Sequence, residues 1–472
     1  RSTGASRNDR IHPSTSEINA ALTNVQSNSG SSASEGLRSY IGRMNYSAYD
    51  KYLLEFSFRV DGSSKFIKGH QYGFFPTVAV GWRFTEEEFL KKYLSSWLSS
   101  GKLRASWGKL GDNSGVDRFE QLETLTAMNY MSSDVVKGFV NKKMINKDLS
   151  WEVSTDINVG LDLGFLNNRL RTEIDFYNRL RTGMNRPSQM SIHLTGAYSA
   201  PRANIGDLLN RGLELNLTWK DKIGNVEYSV NLNGAYNRTV LKEWNEFLSR
   251  GWVYLDMPYH FLYVYENNGI AQTWQDIYNN TPQGLSPGDV IRKDLNGDGI
   301  IDGKDKKAYP NIQRDRPTTT YGITLQATWK GFDISMLFNG GLGRKDFWLT
   351  DFNNTAFADR RYASTWDHWT EPWSLENRGG EWPRLGTSTD RSDNSYWLYN
   401  MNYLRMKNIM LGYNLPKKLL SKISMTNLRI YASAENLFTV TQYPGLDPEK
   451  KNSARDLYPI NRSFSIGLNV SF

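Results

Sequence analysis

Phe464-Ser465-Ile466-Gly467-Leu468-Asn469-Val470-Ser471-Phe472 places an apolar side chain at every even position and a small or polar one at every odd position. Successive side chains of a strand point to opposite faces, so this period-two pattern predicts a β-strand with one greasy face and one wet face. The same grammar recurs upstream. Tyr52, Leu54, Phe56, Phe58 and Val60 alternate with Lys51, Glu55, Ser57 and Arg59, with Leu53 the interruption on the polar face. Leu213, Leu215, Leu217 and Trp219 alternate with Glu214, Asn216, Thr218 and Lys220. Similar runs start at Ile157, Leu170, Val226, Tyr321, Phe332 and Leu428, and weaker ones lie near 74–84, 101–108 and 402–413.

Connection lengths decide what kind of strand protein this is. Counting back from the last strand, 439–461 is long, 414–426 shorter, 342–401 long, and Lys330-Gly331 a tight turn. Then 238–316 is long, 221–225 short, 181–210 long, 165–168 short and 109–154 long. A soluble sandwich or propeller has no reason to keep every second connection short, whereas an up-and-down transmembrane barrel has stubby turns on one side and long loops on the other. The fold class is therefore all-β: a transmembrane antiparallel up-and-down β-barrel with long extracellular loops. About twelve strands are expected from residue 48 onward, within a barrel portion spanning 37–472. Residues 1–36, rich in Ser, Asn, Gly and Thr, read as a loop or disordered start. One short helix is expected at 86–98, with Thr85 and Glu88 at capping-box spacing and Glu86-Glu87-Glu88 as a solvated first turn.

Composition agrees. The 472 residues include 26 Tyr, 21 Phe, 15 Trp and 39 Gly, and aromatics reach 13%, which favours strands joined by turns. Mean hydropathy is −0.58 and no run approaches the ~20 apolar residues of a spanning helix. Cysteine is absent, which removes disulfides, thiol nucleophiles and thiolate metal sites. The 57 Lys+Arg and 49 Asp+Glu alternate without basic blocks, so no nucleic-acid partner is expected; a lipid membrane is.

Further stretches carry a family resemblance. Arg59-Val60-Asp61-Gly62-Ser63-Ser64, Gly81-Trp82-Arg83, Gly111-Asp112-Asn113, Asn210-Arg211-Gly212-Leu213-Glu214, Tyr403-Leu404-Arg405-Met406-Lys407-Asn408, Asn436-Leu437-Phe438-Thr439 and Gly445-Leu446-Asp447-Pro448-Glu449 follow one another in an order that resembles SusC-like TonB-dependent outer-membrane transporters. The resemblance covers most of residues 45–472. It implies the C-terminal part of a larger barrel in a Gram-negative outer membrane, importing an oligomeric nutrient, glycan or peptide. It also implies a plug domain, a segment that engages the TonB complex, and a SusD-like surface lipoprotein as partner. The plug, the TonB-contacting segment and the early strands are expected to lie outside this sequence.

The sharpest local motif is Asp294-Leu295-Asn296-Gly297-Asp298-Gly299-Ile300-Ile301-Asp302-Gly303-Lys304-Asp305. Oxygen donors fall at the calcium-loop positions: Asp294, Asn296, Asp298, the Ile300 carbonyl, Asp302 and Asp305, with Gly299 at the sharp turn. A structural calcium is therefore expected, although the motif ends in Asp where Glu would bind bidentately and no flanking helices are evident. A polar turn without metal is the bland alternative. Loop 342–401 concentrates tryptophans, of which Trp366, Trp369 and Trp373 are candidate ligand or partner contacts; packing of the loop against itself is the competing reading. Catalysis finds no support: His12, His70, His193, His260 and His368 have no ligand spacing, and neither a GxSxG elbow nor a P-loop occurs. Two other functions stay open at this point: a calcium-stabilised surface adhesin that binds glycan without transport, and a passive porin.

Overall fold

The computed structural model describes residues 2–7, 26–31, 34–94, 97–123, 125–131, 135–141, 144–191, 193, 200–246, 254–258, 261–347, 371–384, 394–420, 425–450 and 460–471. Thirteen strands form one antiparallel sheet in which each pairs with its neighbour along the chain. In chain order they are β1 (Leu37–Ala48), β2 (Tyr52–Ser63), β3 (Tyr72–Trp82), β4 (Leu98–Asp112), β5 (Glu152–Phe165), β6 (Leu170–Thr182) and β7 (Asp207–Ile223). There follow β8 (Val226–Glu243), β9 (Thr319–Trp329), β10 (Phe332–Leu342), β11 (Tyr403–Asn414), β12 (Asn427–Thr441) and β13 (Ser463–Ser471). Twelve of them lie beyond residue 48, as expected. Among the described residues no helix is long and apolar enough to cross a membrane, so crossing falls to the strands.

Register turns the sequence alternation into two continuous surfaces. Leu161, Ile174, Leu215 and Gly234 sit opposite one another across β5 to β8, and Ile323, Phe338 and Met406 continue the same face across β9 to β11. That apolar band is exposed, with Leu213 at 47% and Phe176 at 51% on strands paired on both sides, because its solvent is hydrocarbon. The opposite face carries Arg104, Asp162, Asp175, Asn216, Asn231 and Asp333. Thirteen alternating strands leave β1 and β13 running in the same direction. Antiparallel closure of the wall therefore requires an odd number of further strands between those two edges.

The short turns sit at one end, set by residues that tolerate positive φ. Lys330 and Gly331 (φ 46° and 94°) make the two-residue turn between Trp329 and Phe332, the geometry that matches strand twist. Aromatic residues ring this end: Trp219 donates to the Tyr228 hydroxyl at 3.1 Å, and Trp329 stacks on Phe332. The long loops lie at the other end.

Five expectations are corrected. The helix is shorter than 86–98: a 3-10 turn spans Phe84–Glu86 and α1 spans Glu88–Leu94. Thr85 makes no capping box, because its hydroxyl accepts from the Gly101 amide at 2.9 Å. Glu87 is buried and not solvated, since the 3-10 turn tucks it against Tyr52 Oη (2.6 Å), Trp82 Nε1 (3.1 Å) and Lys51 Nζ (3.2 Å). Those donors, the Tyr52 hydroxyl foremost, hold its carboxyl below the usual range. At the start of the chain, Ser2–Arg7 pairs antiparallel with Gln26–Ser31 where a loop was expected; the pairing is between backbones and leaves no apolar periodicity to read. Finally, the sheet strands run further into the loops than alternation suggested, to Thr182, Asp207 and Glu243, because above the membrane both faces are wet and the period-two signal fades.

Candidate functional site: the lumen wall and its loop cap

The wet face of the sheet is a ladder of charge pairs and amides. Arg104 bridges Asp162 (2.7 Å) and Asp175 (2.9 Å), and Arg179 meets Asp156 at 2.5 Å. Arg181 reaches Glu152 at 2.7 Å, and Arg429 meets Asp333 at 2.5 Å. Between them Asn231 donates to Asn216 (2.7 Å) and Thr218 (2.8 Å), and Asn237 donates to the Tyr177 hydroxyl (2.9 Å). Aromatic rings lie over lumen glycines: a Cβ on Gly467 would fall 2.3 Å from the Tyr431 ring. Such a surface offers paired donors and acceptors at many heights, which suits a polar oligomer and gives no single catalytic centre.

Above the wall, the long loops build a second, water-type core. Leu262, Val264 and Val290 from 244–318 pack with Phe347, Trp397 and Met401 from 343–402 and Tyr443 from the last loop. Short strands within the loops, such as Phe261–Tyr265 with Lys306–Gln313, frame it. Burial pushes the Tyr399 hydroxyl up to about 12.

Arg344, 2% exposed, ties three loops together. It donates to the carbonyls of Arg314 (3.0 Å), Pro448 (3.1 Å), Glu449 (3.1 Å) and Lys450 (3.1 Å). The segment it grips is also held to the wall. Arg405 pairs with Asp447 (2.8 Å) and Glu449 (2.6 Å), and Glu449 accepts further from Lys407 (2.8 Å), Asn339 (2.8 Å) and Tyr403 (2.9 Å). Burial alone would push the Glu449 carboxyl up, but Lys407, Asn339, Tyr403 and Arg405 together outweigh it and hold the group below its ordinary value. Residues 445–449 thus form a latch between cap and wall. In the sequence Gly445-Leu446-Asp447-Pro448-Glu449 carries only a family resemblance, with no sign of this role, and nothing local marks Arg344.

The calcium-type loop is an edge of the cap. Gly297 (φ 73°) and Gly299 (φ 78°) take the left-handed conformation that a side chain would oppose. The Asp294 carboxylate accepts from the amides of Gly297 (2.6 Å) and Gly299 (2.9 Å), which folds the first and sixth positions together. Asp298 accepts from the Ile300 amide at 3.0 Å, and Asp302 from the Lys304 amide at 2.7 Å. Asp305 is fully buried; the amides of Asp302 (2.8 Å) and Leu295 (2.9 Å) donate to it and hold its carboxyl low. All donors are hard oxygens, so the set suits calcium in kind. In this arrangement the carboxylates already serve backbone amides, and among the described residues no group of three or more His, Cys, Asp or Glu side chains converges on one point.

Of the tryptophan candidates, Trp366 and Trp369 lie outside the described residues. Trp373 is 6% exposed and belongs to the cap: its Nε1 donates to Gln272 Oε1 at 2.9 Å and its ring covers Gly288. It is a packing residue and not an open ligand contact. Its side chain bridges two loops, which bulk hydrophobicity favours over exposure.

Comparison with known proteins follows the same outline. A family model described as "TonB dependent receptor-like, beta-barrel" matches residues 3–437. TonB-dependent receptor P3 of Formosa agariphila is 30% identical over 476 residues, covering 92% of this chain and 45% of that protein. TonB-dependent receptor SusC of Bacteroides thetaiotaomicron is 30% identical over 456 residues, covering 92% of this chain and 44% of that protein. The chain therefore spans about half the length of these curated relatives. Among solved structures, the RagAB peptide importer in its "open-open" state superposes with a TM-score of 0.77 at 24% identity, covering 97% of this chain and 49% of that one, a likeness of fold.

Proposed function

The chain belongs to the TonB-dependent receptor-like β-barrel family of the outer membrane, and on that premise we propose that it forms the C-terminal wall and extracellular cap of a SusC/RagA-type importer. The cargo is an oligomeric nutrient, glycan or peptide. The observation that carries this reading is the pairing of a polar lumen ladder with a loop cap latched onto it, which together offer a wet path and something above it that can open. The remaining strands, a plug and the TonB-engaging segment belong to the part of the relatives' length that this chain does not span. A SusD-like lipoprotein is the partner we assign to the outer surface of the cap. Vesicle uptake by the full-length protein tests the reading. Transport of a glycan-oligomer or oligopeptide pool should collapse when TonB is lost, and uptake indifferent to TonB would overturn it.

Calcium is the second element of the proposal. Asp294, Asn296, Asp298, the Ile300 carbonyl, Asp302 and Asp305 would hold it, and the ion would supply positive charge that binds the loop's carboxylates into one unit. The supporting observation is the Gly299 amide bonded to Asp294. At a hundredfold excess over its dissociation constant calcium should stabilise the loop by about 2.7 kcal/mol. Chelation that leaves protease sensitivity of 294–305 and thermal midpoint unchanged would sink this element alone.

A further inference from the structure

The outer wall carries a feature that the apolar band does not explain. Arg211 of β7 and Arg238 of β8 sit directly opposite each other in register, on the same face as Leu213, Leu215, Tyr236 and Leu232. That face meets lipid. Opposite strand residues hold their Cβ atoms within about 5 Å, and like charges so placed repel. Two steps further along β8, Lys242 joins the same face and pairs with Asp256. Three cations thus face one carboxylate at a position where hydrocarbon is the neighbour below.

Height along the wall explains which part of a lipid is met there. Arg211 stands eight residues up the strand from Trp219, which belongs to the aromatic ring at the short-turn end. At ~3.3 Å per residue and a tilt of ~40° this is about 20 Å, near the upper boundary of a band ~25 Å tall. The guanidinium groups therefore lie at the level of outer-leaflet headgroups. A groove of about 420 Å³ occupies the spot, lined by Phe176, Leu213 and Tyr236 toward the membrane and by Arg211, Arg238, Lys242 and its carboxylate partner Asp256 toward the loops. Donor accounting leaves it incomplete: Arg211 Nε donates to Asn178 Oδ1 at 2.7 Å, while Arg238 Nε is buried with no hydrogen-bond partner. A buried charged donor without an acceptor is costly, and so is the Arg–Arg juxtaposition beside it.

We propose that this groove is a lipid site that holds the phosphorylated head of an outer-leaflet glycolipid. A phosphate accepts from the two opposed guanidinium groups, and an acyl chain lies along Phe176, Leu213 and Tyr236. One dianionic group removes the repulsion between Arg211 and Arg238 by accepting from their terminal Nη groups, using geometry that arginine presents to phosphate. Lys242 adds a third positive charge at the rim.

The test uses full-length protein in nanodiscs of phosphatidylcholine, titrated with lipid A and, separately, with inorganic phosphate. Native mass spectrometry should find lipid A retained by the wild type and bound about tenfold or more weakly by the double variant Arg211→Gln/Arg238→Gln. Without lipid A, the variant should melt no lower than wild type, since it has lost a like-charge contact; this shows that it folds. Lipid A should raise the melting temperature of wild type only. Equal retention by both proteins overturns the proposal, as does inorganic phosphate matching lipid A in stabilisation, because the acyl contacts would then contribute nothing.

Discussion

The wall and the cap of this protein obey opposite burial codes. In the wall the large apolar side chains point outward and are exposed, while charges and amides line the inside. In the cap the apolar side chains turn inward, Met401 reaching 0% exposure and Val264 1%, and the charges that go in with them, such as Arg344 and Asp305, are hydrogen-bonded to the backbone. The same chain uses both codes because two solvents act on it. Hydrocarbon rewards an apolar exterior and water an apolar interior. The two bodies need a joint that belongs to neither, and the latch at 445–449, gripped by Arg344 and Arg405, is that joint. Its energy comes from buried ion pairs, Arg405 with Asp447 and Glu449, which neither solvent supplies.

The largest effect is expected at the joint. Arg344→Ala leaves four carbonyls without their donor and should destabilise the cap by about 3 to 5 kcal/mol, the range for breaking a buried charged network. Limited proteolysis at 442–450 should accelerate while the wall keeps its heat-modifiable migration. If wall and cap unfold together in the variant, they are one cooperative body and the comparison fails.

A matched pair of leucines sharpens the contrast. Leu262→Ala, in the cap core, should cost about 2 to 5 kcal/mol, whereas Leu215→Ala on the lipid face should cost under about 1.5 kcal/mol because lipid fills the space. Leu215→Lys in turn should cost about 2 to 4 kcal/mol, since the band forbids charge. Equilibrium unfolding in lipid reads all three, and a Leu215→Ala loss as large as that of Leu262→Ala would mean that the two surfaces share one solvent.

Acid should give the smallest effect. The Glu449 carboxyl is held below its ordinary 4.5 in the folded protein, so its stabilising contribution is present above pH 4.5 and is lost as pH falls through the lower folded value. Hydrogen-exchange protection factors at 445–450, taken relative to the intrinsic exchange rate at each pH, should therefore fall below pH 4.5 in wild type and be less pH-dependent in Glu449→Gln. Protection that rises on acidification would reverse the sign and remove the latch from the account.

How far the sequence could be read differed between the two bodies. Strong alternation at Tyr52–Val60 and Leu213–Trp219 matched the lipid and lumen faces residue by residue. The weak signal near 402–413 has a physical origin: a register shift between Met406 and Asn408 moves the outward set from even to odd positions, so Leu404 and Met406 are followed by Ile409 and Leu411. The first sheet strand, Leu37–Ala48, was faint because Gly42 interrupts its apolar face, where the ring of Phe58 takes the space. In the cap, tryptophans read as open contacts included Trp373, which is core, because the amino-acid type is the same for both roles. The lipid-facing Arg211 was legible only as part of a family motif, and its partner Arg238 became visible once register placed them opposite each other.

Alternation and connection length, both properties of neighbouring residues, determined from sequence alone that strands would build a wall with lipid outside and water inside. The calcium-type spacing was legible for the same reason, since twelve consecutive residues carry it. The latch was decided only by tertiary structure: Arg344 meets the Pro448 carbonyl across 104 residues, and Arg405 meets Asp447 across a turn of the wall. Contacts of that kind depend on where loops are delivered by the strands beneath them, and no local pattern of polarity encodes the delivery.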